Sequence, residues 1–123
     1  MNKVCLIGRI TKDPEIKYTQ SGTAVVSFTL AVDRRFKDGN GEKVTDFINC
    51  VAWRNQAEFI ANYVVKGNSL AIEGSIQTRR YNVTQTESRM VVEIMVENVS
   101  NLTPKEQEQS DRTTYAEEED LPF

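Results

Sequence analysis

VTDFINCVAWRNQAEFIANYVVKG, residues 44–67, changes its hydrophobic period once, and that change decides the fold. From Val44 to Trp53 the side chains alternate, with Ile48, Cys50 and Ala52 on one side and Phe47, Asn49, Val51 and Trp53 on the other. Beyond Trp53 the spacing becomes helical: Ala57, Ile60, Ala61, Val64 and Val65 form one apolar stripe. Asn55-Gln56-Ala57-Glu58 predicts the helix start, with Asn55 as N-cap and Glu58 reaching back. Lys66-Gly67-Asn68 predicts its end, with a basic last turn and Gly67 at C′. A strand thus runs almost directly into a single helix.

On either side of this stretch lie strands. Upstream, Val25–Arg34 alternates, with Val26, Phe28, Leu30 and Val32 opposite Ser27, Thr29 and Ala31. Met1–Ile10 is apolar on both sides, through Val4 and Leu6 and through Cys5 and Ile7, as a central strand would be. Downstream, Ser69–Arg80 and Met90–Val99 keep partial alternation. Gln20-Ser21-Gly22, Asp38-Gly39-Asn40-Gly41 and Asn82–Ser88 supply the turns, since Gly and Asn tolerate positive φ. Within residues 1–103, Val and Ile total 21 against 4 Leu, which favours strand. The order β-β-β-α-β-β predicts a mainly β, five-stranded OB-fold barrel with one helix between strands 3 and 4.

Composition excludes several chemistries. The 123 residues contain no His, which removes His-based triads, His metal ligands and imidazole acid–base work. Cys5 and Cys50 lie too far apart for a CxxC redox motif and are too few for a structural zinc site. No metal, cofactor or catalytic group is expected. Neither a leader-like segment nor a membrane-length apolar run is visible, so a reduced, cytoplasmic setting is expected.

The net charge of −3 is unevenly divided: residues 1–103 carry 13 Lys and Arg against 11 Asp and Glu, a balance of +2. Residues 104–123 carry Lys105 and Arg112 against seven acidic residues, a balance of −5, with only Tyr115, Ala116, Leu121 and Phe123 apolar. Such a segment cannot bury enough apolar surface to offset its ordering entropy. The expected division is a barrel over 1–103 and a disordered acidic tail over 104–123.

Four aromatics stand where a barrel of this kind exposes side chains. Phe47 and Trp53 share the outward side of one strand. Phe36 follows Arg34-Arg35 near a hairpin tip, and Tyr81 follows Arg79-Arg80 where another strand enters a loop. Either cluster alone suits a solvated loop better, and an outward aromatic pair can equally cover a subunit contact. Recurrence in two loops flanking the Phe47–Trp53 side favours nucleic acid, with rings stacking on bases and cations tracking phosphates.

Residues 1–103 resemble the bacterial single-stranded DNA-binding protein family. The stretches that carry the likeness are Asn2–Arg9, Phe28–Val32, Asp46–Trp53, Lys66-Gly67 and Ile72–Arg79, in that order. The last residues, Glu117–Phe123, end in Asp-Leu-Pro-Phe and are similar to that family's partner-binding tip. The resemblance implies four base-stacking aromatics, which fall on Phe36, Phe47, Trp53 and Tyr81. It implies phosphate contacts carried onto Lys3, Arg9, Arg34, Arg35, Arg54, Arg79 and Arg80, and less firmly onto Lys12, Lys17, Lys43 and Lys66. It further implies a homotetramer, and docking of replication, recombination and repair proteins on Asp120, Leu121, Pro122 and Phe123. Two features depart from the family pattern. Ile48 stands where some members have a His at a subunit contact, and the segment before the tip is short and contains no Gly.

Three other readings share some of these features. A nuclease on this fold would gather carboxylates such as Asp13, Asp33, Asp46 and Glu93 around a metal, and no motif gathers them. A cold-shock-type RNA module would use the same aromatics. A protein-only adaptor would keep the tail but not depend on Trp53.

Overall fold

A computed structural model of the chain describes residues 1–103; the expectations placed on residues 104–123, including Asp120–Phe123, lie outside the described residues. Six strands and one helix follow in the order β1 (Val4–Ile10), β2 (Glu15–Tyr18), β3 (Ala24–Asp33), β4 (Thr45–Trp53), α1 (Arg54–Tyr63), β5 (Ser69–Asn82) and β6 (Ser88–Asn101). Five of them close a ring, β1-β5-β6-β4-β3, sealed where Arg9 and Ile10 of β1 pair with Ala31 and Leu30 of β3. The pairings are antiparallel except β4 with β6, which run parallel through Cys50–Ile94 and Val51–Met95. This is the expected five-stranded OB barrel with one helix after its third long strand.

The sixth strand, β2, is an addition to the expected set. Its four residues extend the β3 edge that β1 leaves unpaired, with Glu15 opposite Ser27 and Tyr18 opposite Ala24. Inside the barrel, Ile10, Val26, Leu30, Cys50, Ala52, Leu70, Ile72, Ile94 and Val96 form one core. Ala57, Ile60 and Val64 of the helical segment close its end. Burial pushes the Cys50 thiol up to about 12, so it stays protonated and behaves as a small core hydrophobe.

The helix ends differ from expectation. Trp53, still extended, occupies the N-cap and makes no side-chain cap bond, so Asn55 and Glu58 form no capping box. Val64 is the C-cap and is also extended, which ends the helix before Lys66 and leaves Val65 exposed. Gly67, with φ +89, serves a tight turn instead: its N–H donates to Ile10 O, and the Ile10 N–H donates to Asn68 O. That turn ties the end of the helical segment to the end of β1.

The β5–β6 hairpin is longer than predicted. Its outer half, from Gln77 to Asn82 and from Ser88 to Met90, is exposed on both sides and leaves the barrel as a two-stranded ribbon. A bulge between Glu73 and Gly74 turns β5 from barrel wall into ribbon. A Cβ on Gly74 would collide with the backbone carbonyl of Met95, so only glycine fits this corner.

Candidate nucleic-acid interface

Alternation fixes the outward side of β4, and the register fixes its neighbours. Arg9, Ala31 and Phe47 form one row across β1, β3 and β4. Lys17, Val25 and Trp53 form another across β2, β3 and β4. Six residues of extended chain separate the two aromatics, roughly 20 Å at the usual strand rise. Phe47 is 68% exposed and Trp53 is partly buried. Val51, expected on this open side, is instead buried, because β6 runs alongside and sets Met95 against it. The Thr29 hydroxyl donates to Asn49 Oδ1 at 3.4 Å, giving the middle of the surface a polar floor.

Two concavities flank this floor. One, of about 270 Å³, lies between the β3–β4 surface and the ribbon; Lys12, Asn49, Val51, Arg79 and Glu93 are among its walls. The other, of about 490 Å³, is lined by Lys12, Asp13, Pro14, Glu15, Lys17, Val25 and Ser27, next to the Trp53 row. Asn49 lies on the outward side as its alternation predicts, whereas nothing in the sequence marks Glu93 as a wall residue. Pairing the two ribbon strands places Arg79 diagonal to Glu93, a relation visible only once the hairpin register is known.

Phe36 stands on the β3–β4 hairpin, whose tip forms as predicted. Asp38 accepts from the Asn40 and Glu42 N–H groups through Oδ1, and Gly41 has φ +80. The ring is 77% exposed, with the Arg35 guanidinium 5.6 Å from its centroid. Arg34 at the hairpin base makes a two-pronged contact to Asp46, at 2.9 and 3.1 Å. That bond holds the Asp46 carboxyl below the usual range. Tyr81 lies near the ribbon tip on the same side as Arg79, whereas Arg80 falls on the opposite side and reaches Ser88 Oγ at 3.4 Å. The structure thus brings Arg79, not Arg80, to the Tyr81 side.

The remaining cations are placed unequally. Lys3 is held between Glu73 and Glu97 at 3.1 and 3.2 Å, and these contacts raise its pKa. Arg9 and Lys43 both approach Asp33 at 3.5 Å. The Thr45 hydroxyl donates to Asp33 at 2.7 Å and is the main reason its carboxyl is lowered. Lys66 presents its backbone N–H to Asp13 at 2.7 Å. Among the described residues, no three of His, Cys, Asp or Glu are grouped to hold a metal ion.

Arg54 is exposed and sits in the left-handed region, φ +57, directly after Trp53. A side chain there carries a steric cost that glycine lacks. Such strain is commonly retained where a site needs the side chain. Arg54→Gly is expected to raise stability by up to ~1 kcal/mol while weakening oligo-dT binding. Thermal melts and titrations of the same samples check both halves, and a less stable variant refutes the strain account.

Comparison with known proteins agrees with this geometry. Residues 1–102 match the single-strand binding protein family. Single-stranded DNA-binding protein A of Bacillus subtilis is 50% identical over 105 residues, covering 85% of this chain and 61% of its own length. The single-stranded DNA-binding protein of Halalkalibacterium halodurans is likewise 50% identical over 105 residues, with 85% and 62% covered. The chain therefore spans about three fifths of the length of these relatives. A solved Plasmodium falciparum SSB complex with ssDNA superposes with a TM-score of 0.75 at 28% identity, covering 83% of this chain and 95% of that one. Sequence and fold agree, and the chain belongs to the single-strand binding protein family.

Proposed function

We propose that the chain binds single-stranded DNA without strong sequence preference and performs no catalysis. One observation carries this reading: Phe47 and Trp53 share a sheet surface flanked by two hairpins, each presenting an aromatic beside arginines. Bases stack on Phe36, Phe47, Trp53 and Tyr81, and stacking is indifferent to sequence because every base has a π-face. Arg35 and Arg54 hold phosphates, Arg9 and Arg79 contribute beside the carboxylates that draw on them, and Lys3, Arg34 and Arg80 are reached by a strand that wraps further round. Duplex bases are already stacked and cannot use the rings. Trp53 is the single tryptophan, so its fluorescence should be quenched on titration with oligo-dT. Unchanged fluorescence together with no retarded complex would remove the reading. Competition between oligo-dT and oligo-U separates it from an RNA-binding role.

The working form is a homotetramer in the cytoplasm. Its subunit contacts involve the outward side of β1, where Ile7 is 65% exposed and Cys5, Ile7, Ala71 and Ile72 help line an apolar hollow of about 500 Å³. The second proposed role belongs to the tail. Phe123 offers a ring and a carboxylate together, and Glu117–Asp120 offer negative charge, which suits an apolar pocket rimmed by Arg or Lys. Replication, recombination and repair proteins are the proposed partners. Deleting Leu121–Phe123 is expected to abolish their capture while oligo-dT binding stays equal or tightens, as measured by pull-down and titration on one preparation.

A further inference from the structure

Polyanion-binding surfaces gain from unopposed cations, yet carboxylates are built into this one. Asp33 stands on the outward side of β3, in register with Thr45 and one alternation from the Ala31–Phe47 row. It draws in both Arg9 and Lys43. The Arg34–Asp46 pair at the base of the Phe36 hairpin lies on the other side of the β3–β4 ladder, with Val32 and Ile48, and takes no part in this. Glu93 is only 9% exposed, sits in the wall of the groove beside Asn49 and Val51, and takes the Arg79 Nε–H at 2.9 Å. Three cations of the surface are thus matched by two acids.

Stability alone accounts poorly for Asp33, since ion pairs to solvent-exposed cations such as Arg9 and Lys43 contribute little. Their effect on ligands is larger and unequal. Duplex DNA carries about one charge per 1.7 Å, and its affinity depends on released counterions at about 0.9 per neutralised phosphate, against about 0.7 for a single strand. Withdrawing a cation therefore costs the duplex more. The single strand also has its unstacked bases to offer, which the duplex lacks.

We propose that Asp33 and Glu93 are specificity-determining residues, which pair with Arg9, Lys43 and Arg79 so that the surface has too little free charge to hold duplex DNA. Single strands still bind because stacking supplies what the withheld charge does not. The proposal rests on the single-strand reading above.

The test uses the full chain carrying Asp33→Asn and Glu93→Gln together, titrated with labelled oligo-dT and with a mixed-sequence duplex of equal length. At about 50 mM salt the variant is expected to bind duplex at least about tenfold more tightly and oligo-dT by a smaller factor, about sixfold for a tenfold duplex gain. Its duplex salt slope should steepen. A ratio of single-strand to duplex affinity that stays level or rises overturns the proposal. If the double variant does not fold, Asp33→Asn alone, at the end of β3, must shift the ratio in the same direction or the proposal falls. A parent chain that ignores oligo-dT would instead sink the single-strand reading itself.

Discussion

Replacing Trp53 with Ala is expected to weaken oligo-dT binding about tenfold to a hundredfold, and Phe47→Ala by a similar factor, given roughly 1–3 kcal/mol per stacked base. Neither residue belongs to the barrel core. Phe47 is largely solvent-facing, so its truncation should leave the melting temperature nearly unchanged. Trp53 is partly buried against the row of Val25 and Lys17, so some stability loss accompanies its effect on binding. Pairing each titration with a thermal melt separates the two contributions. Folded variants that bind like the parent would take the stacking surface out of the account.

Gly74→Ala is expected to cause the largest loss of stability, about 3 kcal/mol, at the upper end for overpacking. The added methyl would meet the Met95 carbonyl, which is backbone and cannot swing aside like a side chain. The bulge at Glu73/Gly74 already fixes the local geometry, leaving little room for adjustment. For a domain of about 100 residues such a loss lowers the melting temperature by roughly 12–24 °C. Gly39→Ala is the matched control: open space surrounds that position, so its effect should stay within about 0.5 kcal/mol. Equal melting temperatures for the two variants would show that β5 can re-form its corner without glycine.

Much of this fold is legible in the sequence. The alternation of Val26, Phe28 and Leu30 and the helical stripe of Ala57, Ile60 and Val64 are local signals, and all six side chains are buried in the structure. Phe47 and Trp53 are legible as one outward side of a strand, and Phe36 and Tyr81 as aromatics that each follow paired arginines near a hairpin tip. What escaped notice depends on distant partners. Glu15–Tyr18 has four residues, too few for a periodic signal, and becomes a strand only because β3 offers a free edge. Val51 is buried by β6, some forty residues downstream. The ribbon extends through Arg79–Asn82 without apolar alternation because neither of its sides is covered. The N-cap lies at Trp53 and not at Asn55 because the chain turns through left-handed Arg54 instead of a polar cap.

The seam that closes the barrel also sets the order in which the chain can become a barrel at all. β1 is made first, yet its main partner is Ser69–Gly74 of β5, and Asn2 exchanges both its amide hydrogen bonds with Ile76, 74 positions away. Until that stretch has been synthesised, β1 has only the two-residue contact with β3 to hold it. Loop-closure entropy for such a distant partner must be met before the pairing returns anything. During synthesis the β3–β4 hairpin, with its locally bonded tip, can therefore form early, while the first strand waits for nearly the last.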